Sequence, residues 1–371
     1  MTRRAVCSKP LKIRALPAHK NQHYVPRCLL KPFTQTGEGH AINVFNISRK
    51  RSILLAPVKS QCSRDYFYGR EDLRGEKSLT ALEGEFSKVL KKLMSGSPPD
   101  TIDKKWLQRF ALVQWRRTVA VLEELRRYVA SMEEAAFARR PDMKPAGISD
   151  EDLLAISMRT ATNSLHYVED MKVAIFQNLT DDEFVISDNP SVLTNRLHLQ
   201  RWNQNNFGLS SSGAMLSMPL APRLSLMLYD GRAYSANRSK TGFIELHRSE
   251  DVSALNEFQF FAANQNLYFS ESVDPSTLAT ALEDATEQRS TATPDTTIMV
   301  PSGRPGRYRR ALPGEEKTSK EMLLATSFRY PSPTRWASGL ALREKVKTHS
   351  DGSAVGHVRK AEWLTRTGNF P

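Results

Sequence analysis

The hydrophobic period changes near residue 180, and that change limits the architectures open to this chain. Before it, apolar residues recur every three to four positions. Leu79, Leu82, Phe86, Leu90 and Leu93 form one stripe, and Trp106, Phe110, Val121, Leu125 and Tyr128 form another. After it come short runs that read as strands, at 183–187, 214–219, 224–229 and 242–247. Helices followed by mostly antiparallel strands predict an α+β fold, with about three helices packed on the sheet, and not a doubly wound α/β sheet.

The predicted helices run from about Lys77 to Met94, from Asp100 or Thr101 to about Ala138, and from Ser149 to about Gln177. Ser95-Gly96-Ser97-Pro98-Pro99 stops the first, and Pro141 and Pro145 stop the second. A strand pair is expected over Ala41–Ile47 and Arg51–Leu55. A late helix is expected over Val252–Asn264, with a strand at Leu267–Ser270. The domain scheme that follows is a basic arm at 1–20, one α+β domain at 21–284, and a basic, largely disordered or weakly folded tail at 285–371.

Charge divides along the same lines. Residues 1–20 carry six basic and no acidic side chains, and residues 301–371 carry fourteen basic and six acidic. Of the formal +13, the long middle stretch is left near −1. Basic ends can hold nucleic acid through phosphate contacts, or simply keep a chain soluble. The three cysteines, Cys7, Cys28 and Cys62, are too few for a disulfide framework and fit no zinc spacing. No apolar run reaches about 18 residues, and no secretory leader is recognisable, so a cytoplasmic protein without a membrane partner is expected. Phosphate-binding GxxxxGK[ST], GxGxxG, GxSxG and HExxH patterns are all missing, which argues against a nucleotide-driven engine.

Three places could carry chemistry. His23 lies in Gln22-His23-Tyr24-Val25-Pro26-Arg27, before a proline that favours extended backbone; it could face a cleft, or simply bond the chain at its entry to the domain. Arg117 falls in the middle of the second helix's apolar stripe, with Gln114 one turn away. A guanidinium there needs an anionic ligand or a core carboxylate such as Asp188 or Glu83. Asp188, in Ser187-Asp188-Asn189-Pro190, could present a carboxylate at a strand end or cap its own turn. Glu83 reads as a weak metal ligand or a solvated flank, and Asn256 as a structural hydrogen-bonding residue.

Six segments, in order, extend these observations. QHYVPRCLLKPF resembles the signature of a mostly bacterial family, domain of unknown function 4238, with its HYVP motif. Asp65-Tyr66-Phe67-Tyr68 is similar to its aromatic segment, Leu82-Glu83 to its helical glutamate, and Gln114-Trp115-Arg116-Arg117 to its Gln/Arg helix motif. Phe184 to Pro190, Met218-Pro219-Leu220-Ala221-Pro222 and Leu255-Asn256 complete the resemblance, which spans about 20–275. Cys28 departs from the bulky residue often found there. The family transfers no mechanism, but it implies that His23, Gln114, Arg117 and Asp188 share one site.

The resulting expectation is a nuclease-like phosphodiester hydrolase, of a bacterial defence type. His23 would be base or metal ligand, Asp188 with Glu83 would hold a divalent ion such as Mg, and Arg117 would stabilise charge. Gln114 would position substrate or water, with Tyr24, Arg27 and Asn189 binding substrate. The alternative is a non-enzymatic ligand-sensing or interaction protein, in which His, Gln, Arg and Asp form a buried polar network.

Overall fold

A computed structural model of the chain describes residues 20–69, 73–137, 142, 144–145, 147–286, 295–303, 308–327, 330–352 and 355–365. Most of the basic arm lies outside the described residues. The fold is α+β, with helical and antiparallel strand regions as the change of period predicts.

The centre is a five-stranded sheet in the order Ile244–Leu246, Lys172–Asn178, Leu224–Tyr229, Met215–Ala221, Val192–Thr194, antiparallel except for the first pair. Its strands are buried on both faces. Val173, Ile175, Leu216, Met218, Leu226 and Leu228 join the core under the helices Leu73–Met94 and Thr101–Trp115. The alternate residues, among them Phe176, Met215 and Met227, pack on the other face with Leu255 and Phe258 of the helix Ser249–Ala262. Strand side chains point alternately to opposite faces, so one sheet serves two cores. A four-stranded sheet, Arg51–Pro57, Ala41–Asn46, Asn266–Phe269, Ile186–Ser187, packs a third cluster with the helix Pro275–Thr286.

The structure corrects three expectations. The predicted second helix is two, Thr101–Trp115 and Val119–Phe137. No proline or glycine breaks it. The carbonyls freed at the break are taken up from elsewhere: Ser157 Oγ donates to Arg116 O (2.7 Å) and Tyr68 Oη to Arg117 O (3.4 Å). The predicted third helix stops at Asn163, and a short helix Leu165–Glu169 follows. Lys172–Asn178 is a strand between two partners, because a short apolar run reads equally as either element until its neighbours are known.

The third correction concerns the carboxy-terminal region. Among its described residues, Asp295–Pro301 pairs with Tyr308–Arg310 and Leu323–Ser327, and Leu340–Leu342 pairs with Tyr234–Ala236. Arg359, 1% exposed, fastens this region to the domain. It binds Asp170 through Nε (3.1 Å) and Nη2 (3.0 Å), and donates from Nη1 to the carbonyls of Leu209 (2.6 Å) and Ser211 (3.0 Å). Serine, proline and arginine composition suggests a loose tail, but it cannot show a buried ion pair formed across 189 positions. Removing one partner of such a pair strands a buried charge, at about 3–5 kcal/mol. Asp170→Ala should therefore lower the unfolding free energy by about that amount. Denaturant unfolding measures it, and proteolysis should nick residues 287–365 sooner in the variant.

Candidate functional site

Arg117 lies in the break between the helices Thr101–Trp115 and Val119–Phe137 and is 1% exposed. A guanidinium is always charged and holds five donors in a plane, so burial demands acceptors on several sides. Nε donates to Gln114 Oε1 (2.9 Å), and Nη1 pairs with Glu83 Oε1 (2.9 Å). Gln114, itself fully buried, passes the chain of bonds onward by donating to the Tyr24 carbonyl (2.9 Å). Nη2 is buried without a partner. Glu83 comes from the first amphipathic helix, where it lies at the edge of the apolar stripe. The expected core carboxylate for Arg117 is thus Glu83, not Asp188.

His23 ends the short strand Asn21–His23, which pairs with Ser63–Asp65 and lets Tyr24 donate to Cys62 O (2.9 Å). Tyr68 joins the two regions: its hydroxyl lies 3.4 Å from both the His23 and the Arg117 carbonyls. Burial lowers the His23 pKa, and the charges of Arg27 and Arg117 lower it further, while a hydrogen bond to the Val58 backbone opposes them. The ring is therefore neutral near pH 7. Its Nε2 is buried and unpartnered, so the tautomer that fits this arrangement turns an Nδ1–H toward the Val58 backbone. That tautomer leaves Nε2 with a free lone pair.

His23, Tyr68 and Glu83 border a cleft of about 260 Å³, lined also by Arg27, Cys28 and Glu76 among others. Burial pushes the Cys28 thiol up to about 12, helped by the Glu83 carboxylate, so Cys28 is no nucleophile at neutral pH. Tyr68 is likewise pushed up to about 12 by burial, against the pull of Arg117, and stays a donor. Gln22 fixes the rim: it accepts from Tyr68 N (2.7 Å) and donates to Glu76.

The sequence-derived site therefore divides. His23, Gln114, Arg117 and Glu83 gather at one place, with Arg27 on the cleft. Asp188 does not line it. Its carboxylate, 3% exposed, accepts from the backbone amides of Asn264 (2.7 Å), Gln265 (2.8 Å) and Asn266 (3.1 Å), tying the SDNP turn to the end of helix Ser249–Ala262. Asn189 accepts from Thr118 Oγ1 (2.8 Å) and donates to the Ala262 carbonyl (3.2 Å), which holds the helix break in place. Tyr24 is buried in the core beside Phe67. Asn256 is structural as expected, bonding the Val185 amide and the Glu183 carbonyl. Tyr68, Gln22 and Glu76 were not singled out from sequence. The aromatic run 66–68 was the available signal, but periodicity does not show which ring turns toward Arg117.

Glu83 and Asp188 do not converge, so they do not form the expected divalent site. Glu83 is engaged by Arg117, and Asp188 by three amides. Among the described residues no group of three or more His, Cys, Asp or Glu side chains is placed to hold a metal ion.

A family model described as protein of unknown function (DUF4238) matches residues 21–272, well over half of the chain. No curated protein and no solved structure matches it. Among the described residues no helix is long and apolar enough to cross a membrane.

Burial raises the Asp188 pKa to about 6, although its three amide donors pull it back toward the ionised form. A carboxyl raised from its ordinary 3.8 holds its proton more tightly folded than unfolded. Its contribution to stability is complete below about pH 4 and is lost as the pH rises through about 6. Asp188→Asn should remove that part of the pH dependence, leaving a flatter profile of unfolding free energy between pH 4 and 6. An unchanged slope would place the titration on another group.

Proposed function

We propose a function for a chain that belongs to the DUF4238 family of proteins of unknown function: a nuclease-like phosphodiester hydrolase whose base is His23. One observation carries this reading. A neutral imidazole with a free Nε2 lone pair sits in the same polar cluster as Arg117, whose Nη2 still lacks an acceptor. A base and a cation gathered in this way are the two groups that phosphodiester attack requires. His23 Nε2 would take the proton from an attacking hydroxyl or water as the new P–O bond forms and the P–O bond to the leaving sugar oxygen breaks, that oxygen taking its proton from water. Arg117 would stabilise the charge gathering on the phosphoryl oxygens, and Arg27 at the cleft would hold a neighbouring phosphate. Gln114 acts through Arg117, as a positioning residue. We derive no step through a metal ion, because the carboxylates expected to hold one are engaged elsewhere. The basic ends of the chain would add affinity for nucleic acid that does not depend on sequence.

A second reading has its own support. Glu83, Gln114 and Asp188 all bond within the protein, as they would in a ligand-sensing or interaction protein whose polar network fixes the fold.

The two readings separate in a cleavage assay with labelled RNA, single-stranded DNA and duplex DNA, each with and without magnesium or manganese. The hydrolase should cleave at least one of them. His23→Asn should slow it about 100-fold or more while the circular dichroism spectrum is unchanged. Because the base must be neutral, the rate should hold at pH 7 and fall only as the pH drops below the ordinary imidazole value. Cleavage of nothing, or a wild-type rate in His23→Asn, would move the weight to the binding protein.

A further inference from the structure

A second cavity, of about 570 Å³, lies where the carboxy-terminal region meets the domain, and it shares no lining residue with the His23 cleft. One wall comes from the π-helical segment Leu197–Trp202 and the turn after it, the other from Thr326, Tyr330 and residues 350–352 and 355–357. The latter lie beyond residue 272, so the family match covers only half of the walls. The carboxy-terminal wall is fastened by Ser212 N donating to His357 O (2.9 Å) and by the Ser211–Val358 bridge.

Two features of this cavity point to a ligand. His198 lines it, is 4% exposed, and makes no well-formed hydrogen bond from either buried ring nitrogen. Burial pushes its pKa down to about 4, with the nearby His357 adding to the effect and a bond to the Asn206 backbone opposing it, so the ring is neutral. A neutral imidazole carries one donor and one acceptor on opposite sides of a flat ring. With its N–H toward the Asn206 backbone, the ring keeps its other nitrogen bare inside the protein, which is costly. The second feature is aromatic. Phe207 and Tyr330 stack at 4.3 Å and 15°, half-buried at the cavity wall, while Trp202 packs against both His198 and His357. Half-covered ring faces invite another flat ring.

Charge narrows the ligand class. Among the described residues, no Asp, Glu, Lys or Arg lines the cavity. The described lining offers an ion no counter-charge, which favours a neutral ligand group. Gln204 and Asn206, both exposed at the rim, add amide donors and acceptors. We propose that this cavity binds a nucleobase, its face against the Phe207–Tyr330 wall and its polar edge toward His198. The base can arrive as a free nucleoside or within a single strand of nucleic acid. The hydrolase reading is not needed for this site, since the two cavities are separate.

Saturation-transfer NMR on the full chain with adenosine, guanosine, cytidine and uridine tests the first source. Fluorescence anisotropy with a short single-stranded RNA tests the second. At least one base should give a saturable signal at millimolar concentration or below. Tyr330→Ala and Phe207→Ala should weaken it about tenfold, and His198→Phe, which keeps a ring but removes both polar atoms, should erase preference among the bases. Thermal melts check that each variant folds. If an aromatic truncation does not, His198→Phe and the exposed rim variant Gln204→Ala carry the test. Nucleoside binding assigns the site to a small molecule, whereas RNA binding that nucleosides compete away and Tyr330→Ala weakens assigns it to a strand. No saturable signal from any base would overturn the proposal. So would RNA binding that ignores all four substitutions, since the basic ends alone would then explain it.

Discussion

A permanently charged guanidinium at position 117, closed off from water, sets terms that much of the surrounding structure meets. Leaving such a charge unmatched would cost about 3–5 kcal/mol, a large share of what a domain has in reserve. Glu83 supplies the opposite charge from one helix, and Gln114 accepts from the same helix turn. Gln114 in turn holds the Tyr24 carbonyl, which fixes the segment carrying His23. Residues nearly a hundred positions apart are thus placed by one side chain. The helix ends at Trp115, just before Arg117, and Tyr68 and Ser157 cover the carbonyls freed there.

Around this centre the motif residues divide the work. His23 and Arg117 keep unsatisfied buried atoms, and His23 borders the cleft, so they retain chemical freedom. Asp188, Asn189 and Asn256 have almost none left. They close turns by bonding backbone groups of the late helix and the strand that follows. A conspicuous acidic tetrapeptide can therefore be a fastening rather than a reactive site. Three buried amides are better matched by a carboxylate than by any other side chain.

The same rule operates at the far end of the chain. Arg359, as deeply buried as Arg117, reaches Asp170 and two loop carbonyls, and so carries the carboxy-terminal segment onto the domain. That docking forms the walls of a second cavity with aromatic and imidazole lining. Whatever binds there depends on a segment that composition marks as loose.

The amino-acid order alone determined the α+β class, the strands at 214–219 and 224–229, the late helix, and the need for an anion beside Arg117. Each rests on local periodicity or on the cost of burying a charge, which nearby residues express directly. Tertiary structure decided the rest. It chose Glu83 over Asp188 as the partner of Arg117, turned Lys172–Asn178 from helix to strand, and split the second helix without a proline or glycine. It also directed Asp188 to amides 76 to 78 positions away and Arg359 to Asp170. Those outcomes depend on which groups meet across long stretches of chain, and no local pattern encodes a meeting between residues that only folding brings together.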